Sequence, residues 1–96
     1  MKQGDIEKLK SLIRNKEPFY ITTPTRVLVA IYNTELKVWY FEPSSYSPYY
    51  EYLLQTHLLD RILYFINTPK VTFNTIPKDW VDLIQLPKAL SFYQTI

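Results

Sequence analysis

His57, Asp60 and Arg61 stand at positions i, i+3 and i+4. On a helix this spacing lets the side chains meet, and a histidine held by a carboxylate is the start of many acid–base sites. The chemistry goes no further, because no nucleophile accompanies them. The chain has no cysteine, hence no thiol nucleophile, thiolate metal site or disulfide. Glu35, Glu42 or Asp60 acting with His57 is the one hydrolytic arrangement these residue types allow. One histidine and scattered carboxylates form no metal-ligand set of recognised spacing, and a single glycine, Gly4, leaves no phosphate-cradling loop. The sequence therefore predicts no enzyme, no cofactor and no metal. It predicts a surface pairing of Asp60 with Arg61 or His57, which is worth little energetically.

The element that must position these residues is the longest helical pattern, residues 47–69, SPYYEYLLQTHLLDRILYFINTP. Ser47 is the predicted N-cap and Pro48 suits the first helical position. Leu54, Leu58, Leu59, Ile62, Leu63, Phe65 and Ile66 share one broad face, with Thr56, His57, Asp60, Arg61 and Tyr64 opposite. Asn67 and Pro69 supply the stop. The apolar arc is wider than the roughly 100° a surface helix needs, so contact with a sheet and with a second helix or subunit is expected. Charged and polar residues inside the run argue against a membrane span.

Residues 5–15, DIEKLKSLIRN, read as a short amphipathic helix with Ile6, Leu9, Leu12 and Ile13 on one face and Asp5 or Gly4 as cap. Residues 19–23 form a strand ended by Pro24, at an edge or at a turn. Residues 26–32, RVLVAIY, are almost wholly apolar and β-branched, which predicts a central strand covered on both faces. Residues 37–41, KVWYF, pair with them in an antiparallel hairpin, with Asn33 tolerating the left-handed conformation at the turn. Residues 42–47 are a loop, residues 70–74 a short fourth strand, and Pro77 opens a short helix bearing Trp80, Leu83 and Ile84, broken at Pro87. The expected fold is one α+β domain over residues 1–96. It has an N-terminal helix, a three-stranded antiparallel sheet, a long covering helix, then a short C-terminal strand and helices.

Ninety-six residues bury about 65% of the unfolded surface, a sufficient but thin core that dimerisation would supplement. A net charge of +2 neither demands nor excludes nucleic acid. The polar N-terminus and the lack of cysteine lead us to expect an intracellular protein without a signal segment. Punctuation falls to proline, asparagine and serine in place of glycine. Tyrosine is abundant, nine residues, and suits both half-buried strands and partner surfaces.

Two binding surfaces compete. Tyr46, Tyr49, Tyr50 and Tyr52 crowd seven positions at a loop–helix junction, and four rings so close are hard to bury together. Rigid amphipathic aromatics are what interfaces use, so the first expectation is a protein-binding domain, homodimeric through the wide apolar helix face, that binds or inhibits another protein. The alternative is nucleic acid. Lys8, Lys10 and Arg14 line the first helix, and Arg26 and Lys37 flank strands bearing Trp39, Tyr40 and Phe41, so phosphates and bases would each find contacts.

In its shortness, its tyrosine and isoleucine content, its lack of cysteine and its lack of enzyme motifs, the chain resembles small uncharacterised proteins of crenarchaeal viruses. The resemblance is one of composition over the whole length. It implies an intracellular role directed at the host or associated with the genome, often as a homodimer.

Overall fold

The computed structural model describes residues 2–43 and 50–81. Its elements are α1 (Gln3–Arg14), β1 (Phe19–Thr22), β2 (Val27–Asn33), β3 (Val38–Glu42), β4 (Glu51–Leu53), α2 (Gln55–Phe65) and β5 (Thr72–Thr75). The α+β class stands. The sheet, expected to have three strands, has five, in the order β4-β3-β2-β1-β5, every neighbouring pair antiparallel. The apolar run of β2 takes the central place. β1 is not an edge strand. It ends before Pro24, and β5 pairs along its outer side.

The largest correction concerns residues 51–53, which belong to the sheet and not to the covering helix. Tyr52 stands opposite Tyr40, and Glu51 and Leu53 stand opposite Phe41 and Trp39. The governing period here is two, with Tyr52 on one sheet face and its neighbours on the other. Aromatic cross-strand pairing favours the strand. Leu54 remains extended, with ψ 153°, and α2 starts only at Gln55 without a side-chain cap. The expected cap and first helical position, Ser47 and Pro48, lie outside the described residues, as do Leu83, Ile84 and Pro87. A helical turn at residues 78–81 falls within the expected C-terminal helix, the rest of which lies outside the described residues.

Both helices pack on one face of the sheet. Leu9, Leu12 and Ile13 of α1 and Leu58 and Ile62 of α2 meet Phe19, Ile21, Leu28, Ala30, Trp39 and Phe41. Trp39 is the centre of this core. Phe19 and Tyr32 approach it edge-on at 6.0 and 5.5 Å between ring centroids, and its indole N–H donates to Gln55 Oε1 at 3.1 Å. That bond ties the first residue of α2 to β3.

The turns manage without glycine by other means. Thr23 Oγ1 accepts from the N–H of Arg26 at 3.0 Å and donates to its carbonyl at 3.1 Å, clasping the turn around Pro24. At the β2–β3 hairpin, Asn33 Oδ1 accepts from the N–H groups of Glu35 and Leu36 at 2.9 and 3.0 Å. The left-handed residue there is Lys37, φ 57°, and not Asn33, which stays in its strand. α1 closes in the same way. Lys16, φ 56°, sends its N–H to Ile13, and Glu17 sends its N–H to Leu12, the two bonds of a Schellman motif with lysine in the usual glycine position. Gly4 has no such role. It lies in the first turn of α1, where the capping position belongs to Lys2, not to Asp5 or Gly4, and no side chain caps it.

Candidate functional site

The strands put alternate residues on the second sheet face, away from both helices. Ile31 and Tyr40 are fully buried there, packed with Ile76 and with the partly buried Tyr20, Val29, Tyr50, Tyr52 and Val81. Three of the tyrosines form one cluster. The Tyr40 ring lies 5.3 Å from Tyr50 and 6.0 Å from Tyr52, and Tyr50 meets Tyr52 edge-on at 5.8 Å. Such tilted and edge-to-face contacts suit the ring quadrupole and hold the rings rigid.

Tyr40 anchors the cluster. Its hydroxyl donates to Glu42 Oε2 at 3.0 Å, two residues along the same strand and on the same face. Burial first, and then the negative charge of Glu42, push the ionisation of this hydroxyl far above its usual range. The group is a neutral hydrogen-bond donor, not a general base.

Beside the cluster the face opens into a groove of about 330 Å³ lined by Tyr20, Val27, Val29, Ile76 and Trp80. Its walls are almost entirely apolar. Trp80 is 56% exposed, and the helical turn held by the N–H groups of Trp80 and Val81 on the Pro77 carbonyl positions it.

The residues singled out in the sequence fare differently. Tyr50 and Tyr52 are brought together on this face. Tyr46 and Tyr49 lie outside the described residues. Sequence reasoning missed Tyr20, Val29 and Ile31 as companions of the tyrosines, although their period-two alignment in β1 and β2 carried the signal. His57 and Asp60 are exposed on α2, and Arg61 does not pair with either. Its Nε donates to Glu51 Oε1 of β4 at 2.5 Å, while its guanidinium covers the rings of Tyr64 and Phe65 at 5.1 and 5.3 Å. The expected surface pairing of Asp60 with Arg61 thus gives way to a strut between strand and helix, Arg61 to Glu51. Among the described residues no group of three or more His, Cys, Asp or Glu side chains could hold a metal ion, and no helix is long and apolar enough to cross a membrane.

The basic residues do not converge. Lys8, Lys10 and Arg14 are exposed on α1, which covers the opposite side of the sheet. Lys10 is 3.8 Å from Glu7, and Lys8 lies 5.8 Å over the Phe73 ring. Arg26 precedes β2 and Lys37 precedes β3, so in the antiparallel hairpin they stand at opposite ends, about 26 Å apart along the strands at ~3.3 Å per residue. Arg26 is engaged, with Nη1 donating to the Pro43 carbonyl at 3.5 Å and its guanidinium over Phe65. The aromatic face and the lysine-bearing helix look in different directions.

The chain matches no protein-family model, no curated protein and no solved structure.

Proposed function

We propose that the protein is a non-enzymatic binding module that holds a protein partner on the tyrosine-bearing face of its sheet. The observation that carries this reading is the continuity of that face. The cluster of Tyr40, Tyr50 and Tyr52 runs through Ile31 and Val29 into the apolar groove under Trp80. Rings already locked by mutual contact lose little conformational freedom when a partner covers them, and an exposed tryptophan beside a groove is the side chain that most often dominates interface energetics. The partner is a protein surface that places apolar side chains in the groove. A homodimer built on the same face is the simplest case.

Nucleic acid is the weaker reading. Binding a single strand needs stacking rings and phosphate-neutralising cations on one surface, and here the rings and the α1 lysines occupy opposite sides of the sheet, with Glu42 among the rings.

The test uses the purified chain in three forms: wild type, Trp80→Ser, and Lys8→Glu/Lys10→Glu/Arg14→Glu. Light scattering behind a sizing column reads the oligomer, affinity capture reads the partner, and anisotropy of labelled single-stranded and duplex oligonucleotides reads nucleic-acid binding at low and physiological salt. Self-association or capture should fall about tenfold or more in Trp80→Ser and survive charge reversal. Oligonucleotide binding that weakens steeply with salt and vanishes on charge reversal would refute the proposal.

A further inference from the structure

Strand β5 ends the sheet on the side away from β4, and β1 is its only neighbour among the described residues. The phase of its hydrogen bonds follows from one contact. The N–H of Ile76 donates to the Pro18 carbonyl at 3.0 Å, and these two residues continue the register that sets Phe19 opposite Thr75. Residues that exchange bonds alternate along an antiparallel ladder. Asn74 and Thr72 therefore also turn their backbone groups toward β1, and Phe73 and Thr75 turn theirs outward, off the end of the sheet.

Short as it is, at four residues, this edge carries within the strand neither of the residue types that most often keep edge strands from pairing. Residues 72–75, TFNT, contain no charge and no proline. Beside it, on the helix-covered face, lies a cleft of about 280 Å³ lined by Lys8, Leu12, Phe73, Asn74 and Thr75. Leu12 and Phe73 give it apolar surface, and Lys8 stands over the Phe73 ring. Glu7, the next residue along α1, is shared between Lys10 and Gln3, and among the described residues Lys8 makes no ion pair. Lys70 and Lys78 are exposed just before and just after the strand, with Asp79 as the adjacent carboxylate.

We propose that β5 is a strand-addition site for an extended acidic segment of a partner protein. The segment pairs with the outward backbone groups of Phe73 and Thr75, and one of its alternate side chains lays its stem on Leu12 and Phe73 and its carboxylate on Lys8. Main-chain bonds supply affinity in this mode and the side-chain cleft supplies selectivity. Charge decides against a second copy as the occupant. Two-fold pairing of β5 with itself sets both α1 helices on one side of the seam, bringing two Lys8 ammonium groups to it while neither strand carries a carboxylate.

The site is independent of the tyrosine face, and the test keeps them apart. A display library of random octapeptides is selected on the immobilised wild-type chain, and enriched peptides are synthesised and measured by fluorescence anisotropy. Enrichment of Glu or Asp flanked by Val, Ile or Thr is expected. Thr75→Pro removes an outward N–H without taking a bond from the β1 ladder, so this variant should fold and bind at least tenfold more weakly. Lys8→Glu should lose the acidic peptides and recover binding to the same peptides with Lys in place of Glu. Trp80→Ser should bind them as the wild type does. Peptides without acidic enrichment, or affinities indifferent to both Thr75→Pro and Lys8→Glu, overturn the proposal. So does a wild-type dimer that Thr75→Pro converts to monomer.

Discussion

Replacing Tyr40 by phenylalanine should change the sign of its effect on stability as the pH rises. The Tyr40 ring is fully buried, and its hydroxyl donates to Glu42 at 3.0 Å. At neutral pH the substitution loses that hydrogen bond. Glu42 is half-buried and recovers part of the loss from water, so a cost of about 1 kcal/mol is expected. Alkaline pH acts in the opposite direction. An unfolded tyrosine ionises near pH 10, whereas burial and the Glu42 charge hold Tyr40 protonated well beyond that. Below about pH 10 both states keep the proton and Tyr40 adds no pH dependence. Above it the unfolded chain releases a proton that the folded chain retains, and stability falls. The loss from this group reaches about 1.4 kcal/mol one pH unit above the unfolded value. Phenylalanine has no proton to lose, so the two stability curves should cross between about pH 10 and 11. Urea unfolding followed by far-ultraviolet circular dichroism, at intervals from pH 7 to 11, measures both. The other titrating groups cancel in the difference. A gap that stays constant through pH 11 would refute the reasoning, because Tyr40 would then ionise as easily folded as unfolded.

Lys37 holds a left-handed conformation, φ 57°, at a cost of about 1 kcal/mol for a residue with a Cβ. Glycine removes that cost and adds some unfolded-state entropy, so Lys37→Gly should raise the urea midpoint by an amount equivalent to as much as ~1 kcal/mol. A lowered midpoint would contradict the assigned turn. Gln55→Ala removes the acceptor of the Trp39 indole N–H and should destabilise by about 1–3 kcal/mol, whereas His57→Ala, on the exposed side of the same helix, should leave the midpoint within about 0.5 kcal/mol.

Much of the fold was legible in local patterns. The α1 periodicity, the apolar run of β2 and the aromatic run of β3 each name an element and its buried face. The boundary between β4 and α2 was not legible. Leu54, Leu58 and Ile62 extend a helical period backwards past Gln55, and only the pairing of Tyr52 with Tyr40 across the sheet overrides it. The candidate site divides in the same way. Tyrosine crowding flagged Tyr50 and Tyr52, but their partners Tyr20, Tyr40, Val29 and Ile31 come from three other strands, where alternation gives the face of each residue and only the strand register brings them together.

Composition and periodicity alone determined the class of the domain, its amphipathic N-terminal helix, its central strand and the lack of cysteine chemistry, because those depend on residue type and on contacts a few positions apart. Tertiary structure alone decided that Arg61 belongs to Glu51, that the aromatic and basic surfaces diverge, and that Phe73 and Thr75 turn their backbone outward. Each of these depends on strand register and on which face a helix covers, and register is set by side chains far apart in sequence packing against one another.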